Sequence, residues 1–376
     1  MSPDLLKLFY DYTFIDIVIS ILLLSLSIFL TFQFKYRLNL SGNITFVIFL
    51  IHHLMFPLYI AFLYKYGSDS LTYFIGFEGF IFNDFSPGQV FLNKVLFFFK
   101  FIKFNFYNVN YFFSILSLSS LLLLLKVISD FKIEDKYTFH ILISFLFLPS
   151  IHFWHMGYSK DTLTFFCISI IIYEVMKSKQ NFIIIIFSLL LLYLVRIHIC
   201  LFIIISFFSY YFLNIKSILI RVVGLVFVLF LTQFMLSNIF IFTDLESILV
   251  FLNIFQDLYT DDPATALVSQ NNIVLQIFYY LFLPNIFALK DVSLFYLILA
   301  LENTFILLLF LKILNFNFFS IKKIKYYSFL IVFSFLALTI LSYVTSNIGI
   351  ASRQKWIFLP SLIILLSGLK YKLNYK

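Results

Sequence analysis

The sequence predicts an all-α, polytopic integral membrane protein with about eleven transmembrane helices (a range of 10 to 12), and three observations predict it. Hydrophobic residues make up 62% of the 376 positions and charged residues only 12%, against about a quarter in soluble domains. Apolar runs of about 20 residues, enough to cross a hydrocarbon core roughly 30 Å thick, recur along the chain. Lys and Arg gather in alternate short loops, as the positive-inside rule requires of cytoplasmic connections. That topology accounts for the formal charge of +8, so no nucleic-acid partner is expected. The 56 Phe carry no functional weight, because an AT-rich coding bias produces the same enrichment. Cys167 and Cys200 lie in apolar runs without C-x-x-C spacing and indicate neither a disulfide framework nor a metal site.

The first run, 13–33, ends at Lys35 and Arg37, which places that end in the cytoplasm and the N-terminus outside. The N-terminal stretch lacks a basic region and a small-residue cleavage site, so this run is expected to be retained. The second, 44–64, leads into a long external segment, 65–108, whose LNKVLFFFKFIKF has Lys94, Lys100 and Lys103 among Phe and Leu. That pattern fits a helix lying in the interface. Span three, 109–127, returns to the cytoplasmic SDFKIEDK loop. Spans four (138–156) and five (161–176) form an outward hairpin closed inside by Lys177 and Lys179. Span six, 181–196, rises to Arg196 and His198; span seven, 199–214, descends to Lys216; span eight, 218–242, opens the second external segment, 243–292. Its apolar run from Ile273 to Phe287, broken at Pro284, reads as a re-entrant or interfacial helix. A full crossing there would move Lys312, Lys322, Lys323 and Lys325 outside. Spans nine (293–314), ten (327–345) and eleven (356–369) bring the C-terminus to the cytoplasmic side, and the whole chain reads as one transmembrane domain, 1–376.

On this topology the mixed clusters of acids, bases and histidines face outward: Asp69, Glu78 and Asp84; Lys160 and Asp161; Arg196 and His198; Asp261 and Asp262; Arg353 and Lys355. No phosphate-binding glycine loop and no cytoplasmic domain is present, which disfavours nucleotide-driven chemistry. No internal repeat is evident, which weakens an inverted-repeat transporter. The link PSIHFWHMGYSKDTLTFF, Pro149 to Phe166, reads as one wall of a site. Lys160 at the start of a helix is opposed by the helix dipole unless it helps the backbone N–H groups hold an anion such as phosphate. Asp161 complements that same dipole. Arg196 and Arg353 are suited to phosphate and cannot act as bases. Asp69 in GSDS either caps the helix that follows or removes a proton from an acceptor hydroxyl, with Glu78 and Asp84 as alternates. His198 orients the cations, and His155 and Gln354 are placed with Glu78 and Asp84 at the substrate. Snorkelling, for Arg196, and polar packing, for the histidines, are the competing structural readings. Glu302, in mid-span, is either hydrogen-bonded and neutral or part of a proton path. No metal-ligand spacing or cofactor signature is present, which leaves a divalent cation open.

In order, GSDSLTYF with FSPG, PSIHFWHMGYSKDTLTFF, LVRIHICLF, LFLPNIF followed by LALEN, and NIGIASRQKWIFLP resemble bacterial multi-pass proteins of polysaccharide biosynthesis. Those are oligosaccharide repeat-unit polymerase-like or GT-C-like membrane glycosyltransferases. The resemblance spreads from about Gly67 to Pro360, with Ile197 where that group has Pro and Leu283 where it has Arg. It implies a polyprenyl-diphosphate-linked glycan donor, a glycan acceptor, membrane lipid and other polysaccharide-assembly proteins as partners, and a place in the cytoplasmic (inner) membrane. A transporter of lipid-linked oligosaccharide is the alternative.

Overall fold

The computed structural model describes residues 13–67, 69–75, 88–133, 135–215, 217, 219, 221–226, 272–288, 294–314, 321–345 and 347–373. These are almost wholly helical. Among the described residues, five helices are long and apolar enough to cross a membrane, or six when one bent pair counts as a single span. The chain packs as two compact units, Met1–Asp130 with Leu146–Arg196, and Phe131–Phe145 with Ile197–Lys376.

In the first unit, α1 (Phe14–Leu38) begins at a capping box: Thr13 N–H and Oγ1 both donate to Asp16 Oδ2, at 2.9 and 2.6 Å. It stops at Asn39, which adopts the left-handed conformation, φ 53°. Helix α2 (Gly42–Tyr66) ends at Gly67, φ 73°. Each has 25 residues, about 37 Å at 1.5 Å per residue, ample for a crossing. Both expose Phe and Leu along their lengths, Phe29, Phe32, Leu54 and Leu58 among them, a surface suited to lipid. Helix α5 (Phe106–Ser129) is the opposite case and forms the hub, with α1, α2 and α8 (Lys160–Met176) packed around it. Its buried Ser117, Ser119 and Ser120 keep it slim, and Ser119 and Ser120 return their hydroxyls to the carbonyls of Ile115 and Leu116, both at 2.9 Å.

The external segment contributes α3 (Asp69–Ile75) and α4 (Gln89–Phe101). As the sequence leads one to expect, α4 is amphipathic. It buries Leu92, Asn93, Leu96 and Phe99, exposes Phe98 and Phe101, and is tied to α3 by Lys100 Nζ donating to Phe74 O at 3.0 Å. The apolar run 138–156 is not one helix. It divides into α6 (Lys136–Ile143), a 3₁₀ turn (Ser144–Phe147) and α7 (Pro149–Phe153). Pro149 explains the break, since it lacks the N–H for a continuing helix and pushes Leu148 out of the helical region, ψ 131°. Helix α9 (Phe182–Val195) has 14 residues, about 21 Å, so as a lone helix it falls short of the hydrocarbon thickness.

The second unit holds α6, α10 (Ile197–Asn214), α11 (Ile273–Phe282), α12 (Leu294–Ile313), α13 (Ile321–Val344), α14 (Ile348–Gln354) and α15 (Leu359–Lys370). Helix α13 is its centre, packed on α10, α11 and α15. Gly368 allows α15 to approach α13 closely: a Cβ there would lie 2.4 Å from the Tyr327 ring. Helix α11, ten residues or about 15 Å, is half the length of a crossing. The last span is bent by 50° where the segment Ile348–Ile357 meets α15, next to Pro360. A two-residue antiparallel pair joins Phe131–Lys132 (β1) to Lys372–Leu373 (β2). Near it, Lys312 Nζ lies 4.3 Å from the Tyr137 ring centroid and Lys370 Nζ donates to Lys312 O at 3.3 Å. The loop after α5 and the ends of α12 and α15, all read as cytoplasmic from sequence, therefore lie at one end of this unit. Asp135 caps α6 there. Hydrogen bonds from the Thr138 side chain, then from the N–H groups of Thr138 and Tyr137, hold its carboxyl below the usual value.

Candidate functional site

The link between α7 and α8 is held by buried hydrogen bonds. Tyr158 N–H donates to Asn110 Oδ1 of α5 at 2.9 Å, and its hydroxyl to Leu92 O of α4. Thr162 Oγ1 donates to Gly157 O at 2.6 Å and His155 O at 3.0 Å. Ser159 caps α8 by accepting from Thr162 N–H. Gly157 is required by close approach: any Cβ there would sit 2.0 Å from the Tyr59 hydroxyl oxygen.

This framework brings three elements together: α4, α8 and α9. Asp161, in the first turn of α8, forms an ion pair with Arg196 at the end of α9; their side chains are 2% and 10% exposed. Gly88, the residue before α4, donates its N–H to Leu194 O at 2.7 Å, which fixes the start of α4 beside the end of α9. Lys160 reaches across to the same place, its Nζ 3.3 Å from where a Gly88 Cβ would be. Gly88 has φ 89°, so both backbone and space call for glycine. The N-cap of α4 is Gly88, which has no side chain to cap it. The first-turn N–H groups of α4, the first turn of α8, the Lys160 ammonium and the Arg196 guanidinium thus share one neighbourhood, to which Asp161 contributes a carboxylate. Such a cradle matches an anionic group.

The other predicted residues distribute as follows. Asp69 opens α3; its side chain, and Glu78 and Asp84 altogether, lie outside the described residues, as do Asp261 and Asp262. His155 is wholly buried, Nδ1 2.9 Å from Ile151 O and its ring stacked on Phe165 at 4.2 Å, so it packs as core. His198 is an exposed residue of α10, with its ring 6.2 Å from that of Phe202. Arg353 and Gln354 are half-buried at the end of α14, and Gln354 Oε1 accepts from Thr345 Oγ1 at 2.8 Å. His198, Arg353 and Gln354 belong to the second unit, whereas Lys160, Asp161 and Arg196 belong to the first.

Sequence reasoning missed two polar centres. In the first unit, His52 of α2 and His152 of α7 meet at 3.1 Å, Nδ1 to Nδ1, with both residues buried. In the second, Lys355, expected at an external cluster, is wholly buried: its Nζ donates to Asn303 Oδ1, Asn303 Nδ2 donates to Pro284 O at 2.8 Å, and Glu302 acts on it electrostatically. Nothing local in the sequence separates Lys355 from its neighbour Arg353, which is half-buried. No group of three or more His, Cys, Asp or Glu able to hold a metal occurs among the described residues. No family model, no curated protein and no solved structure matches the chain.

Proposed function

We propose that this chain is a membrane glycosyltransferase or polymerase that joins polyprenyl-diphosphate-linked glycan units at the outer face of the cytoplasmic membrane. The observation that carries this is the meeting of Lys160, Arg196 and the start of α4 around Gly88. Two cations and backbone N–H groups at the mouth of apolar helices suit a lipid-borne diphosphate, and charge neutralisation there stabilises the leaving group as the glycosidic bond breaks. In this mechanism Asp161 sets the direction of Arg196, and Asp69, Glu78 or Asp84 accepts the proton of the attacking hydroxyl. The topology proposed with it keeps eleven crossings. Spans four to seven use the shorter helices between Lys136 and Asn214, and span eight, 218–242, falls mostly outside the described residues.

One observation favours the alternative of a lipid-linked oligosaccharide transporter. Buried Lys355 and Glu302 beside a bent span resemble the ionisable, broken-helix sites of carriers. A gel of surface polysaccharide from the native host separates the readings. The gene is deleted and restored intact or as Lys160→Ala, with protein level checked by immunoblot. Glycan halted at one repeat unit supports a polymerase. Complete loss of surface glycan, with lipid-linked units accumulating on the cytoplasmic side in the deletion strain, supports the transporter. Normal polymer from Lys160→Ala at normal protein level overturns the proposed site.

A further inference from the structure

The two buried histidines pose a counting problem in protons. His52 Nε2 lies 2.8 Å from Ser114 O, His52 Nδ1 lies 3.1 Å from His152 Nδ1, and His152 Nε2 lies 2.8 Å from Leu146 O. A backbone carbonyl only accepts, so each end of this chain needs an N–H from the imidazole facing it. Three short contacts therefore need three protons, and two neutral imidazoles carry two. With two protons, one contact is always acceptor against acceptor, lone pair to lone pair, at 2.8 to 3.1 Å. With three, every link is a hydrogen bond and the central one is charge-assisted.

We propose that His52 and His152 form a proton-binding site in which one imidazole and one imidazolium share a proton between their Nδ1 atoms. The site is separate from the cradle around Gly88 and independent of what that cradle binds. Burial opposes a charge here. The carbonyl dipoles of Ser114 and Leu146 at the two ends of the chain, and the shared hydrogen bond between the rings, offset that cost.

His53 and His155 act on the pair electrostatically, and Tyr111 of α5 packs against His53 at 5.7 Å between ring centroids. Helices α2, α5 and α7 contain no carboxylate. On the helices packed against α5, Asp16 is engaged by Thr13, Asp161 by Arg196 and Glu174 by Lys177. The proton is thus the pair's own, held without a carboxylate counter-charge on the helices that carry it. A metal ion at about 2.0 to 2.1 Å from both nitrogens would need further ligands. The described residues offer no group of three. Release of the proton would set two acceptors against each other, which couples the protonation state to the contact between α2 and α7.

The test is solid-state nitrogen NMR of the full chain in lipid bilayers with ¹⁵N-labelled histidine. At pH 8 an ordinary histidine is only about 3% charged. The expected spectrum shows one of the six histidines with both ring nitrogens protonated, and that signal disappears in His152→Asn. Six neutral imidazoles at pH 8 in the wild-type chain overturn the proposal, as does a cationic signal that persists in His152→Asn. Should that variant fail to assemble, a short-range proton correlation between two Nδ1 atoms in the wild-type chain is expected, and its absence overturns the proposal equally.

Discussion

Replacing Asp161 and Arg196 one at a time and then together tests whether their ion pair organises the site. Breaking a buried pair by removing one partner costs about 3 to 5 kcal/mol, because the other charge stays buried. The two sides are not equivalent. Arg196 is 10% exposed and its long side chain can move its charge toward water, so Asp161→Asn belongs at about 3 kcal/mol. Asp161 is 2% exposed and short, so Arg196→Gln belongs nearer 5 kcal/mol. Its place in the first turn of α8 returns about 0.3 to 1 kcal/mol through the helix dipole. The double variant buries no unpaired charge and is expected to cost well below the sum, with a coupling of at least about 2 kcal/mol. Reversible unfolding in mixed detergent micelles, followed by circular dichroism, measures all three. Additive costs, with coupling under about 0.5 kcal/mol, would refute the pairing as a structural determinant. The same numbers explain why Lys160, rather than Arg196, carries the functional test: loss of activity in an Arg196 variant conflates chemistry with folding.

Three further outcomes are expected. Gly157→Ala drives a methyl group into the Tyr59 hydroxyl and is expected to cost about 1 to 3 kcal/mol in the same assay, while Tyr59→Phe in the Gly157→Ala background recovers part of it. Gly88→Ala strains a residue at φ 89° and crowds Lys160, so glycan assembly should fall while α8 keeps its amide protection in hydrogen exchange; an unchanged glycan would detach Gly88 from the site. The Asp135 cap has a carboxyl held below its ordinary value, so it stabilises the start of α6 above the unfolded-state pKa and loses that contribution as pH falls through the lower folded value. Exchange at Tyr137 and Thr138, corrected for intrinsic rates, should therefore accelerate in that acidic window, and Asp135→Ala should remove the pH dependence.

How much of this was legible depended on the range of the interaction that decides it. The long helices were, since hydrophobic length and local caps suffice: the run 13–33 became Phe14–Leu38, and 293–314 became Leu294–Ile313. The break within 138–156 was not, because Phe, Leu and Ile continue through it and only Pro149 marks the place. Lys160, Asp161 and Arg196 were singled out by charge type at the ends of apolar runs. That Asp161 engages Arg196 follows from packing across 35 residues, on which periodicity is silent. Gly88 had a signal in the FSPG stretch before an amphipathic helix, though not its contact with Lys160. His52 and His152 stand 100 residues apart and each, read alone, is an ordinary polar residue of an apolar helix. Lys355 was misplaced for the opposite reason: beside Arg353 it reads as part of an exposed basic cluster, and only tertiary burial separates the two.

The strand pair between Phe131–Lys132 and Lys372–Leu373 has two residues on each side, and it ties two distant stretches of sequence to one compartment. A reporter fused after Lys376 and an accessible tag placed near Asp135 must give the same answer about sidedness, whichever side that is. The end of α12 at Lys312, stacked on Tyr137 and joined to Lys370, must agree with both. Three independent labels thus cross-check one another, so a single disagreement among them would expose an error in the topology that no count of hydrophobic runs can detect.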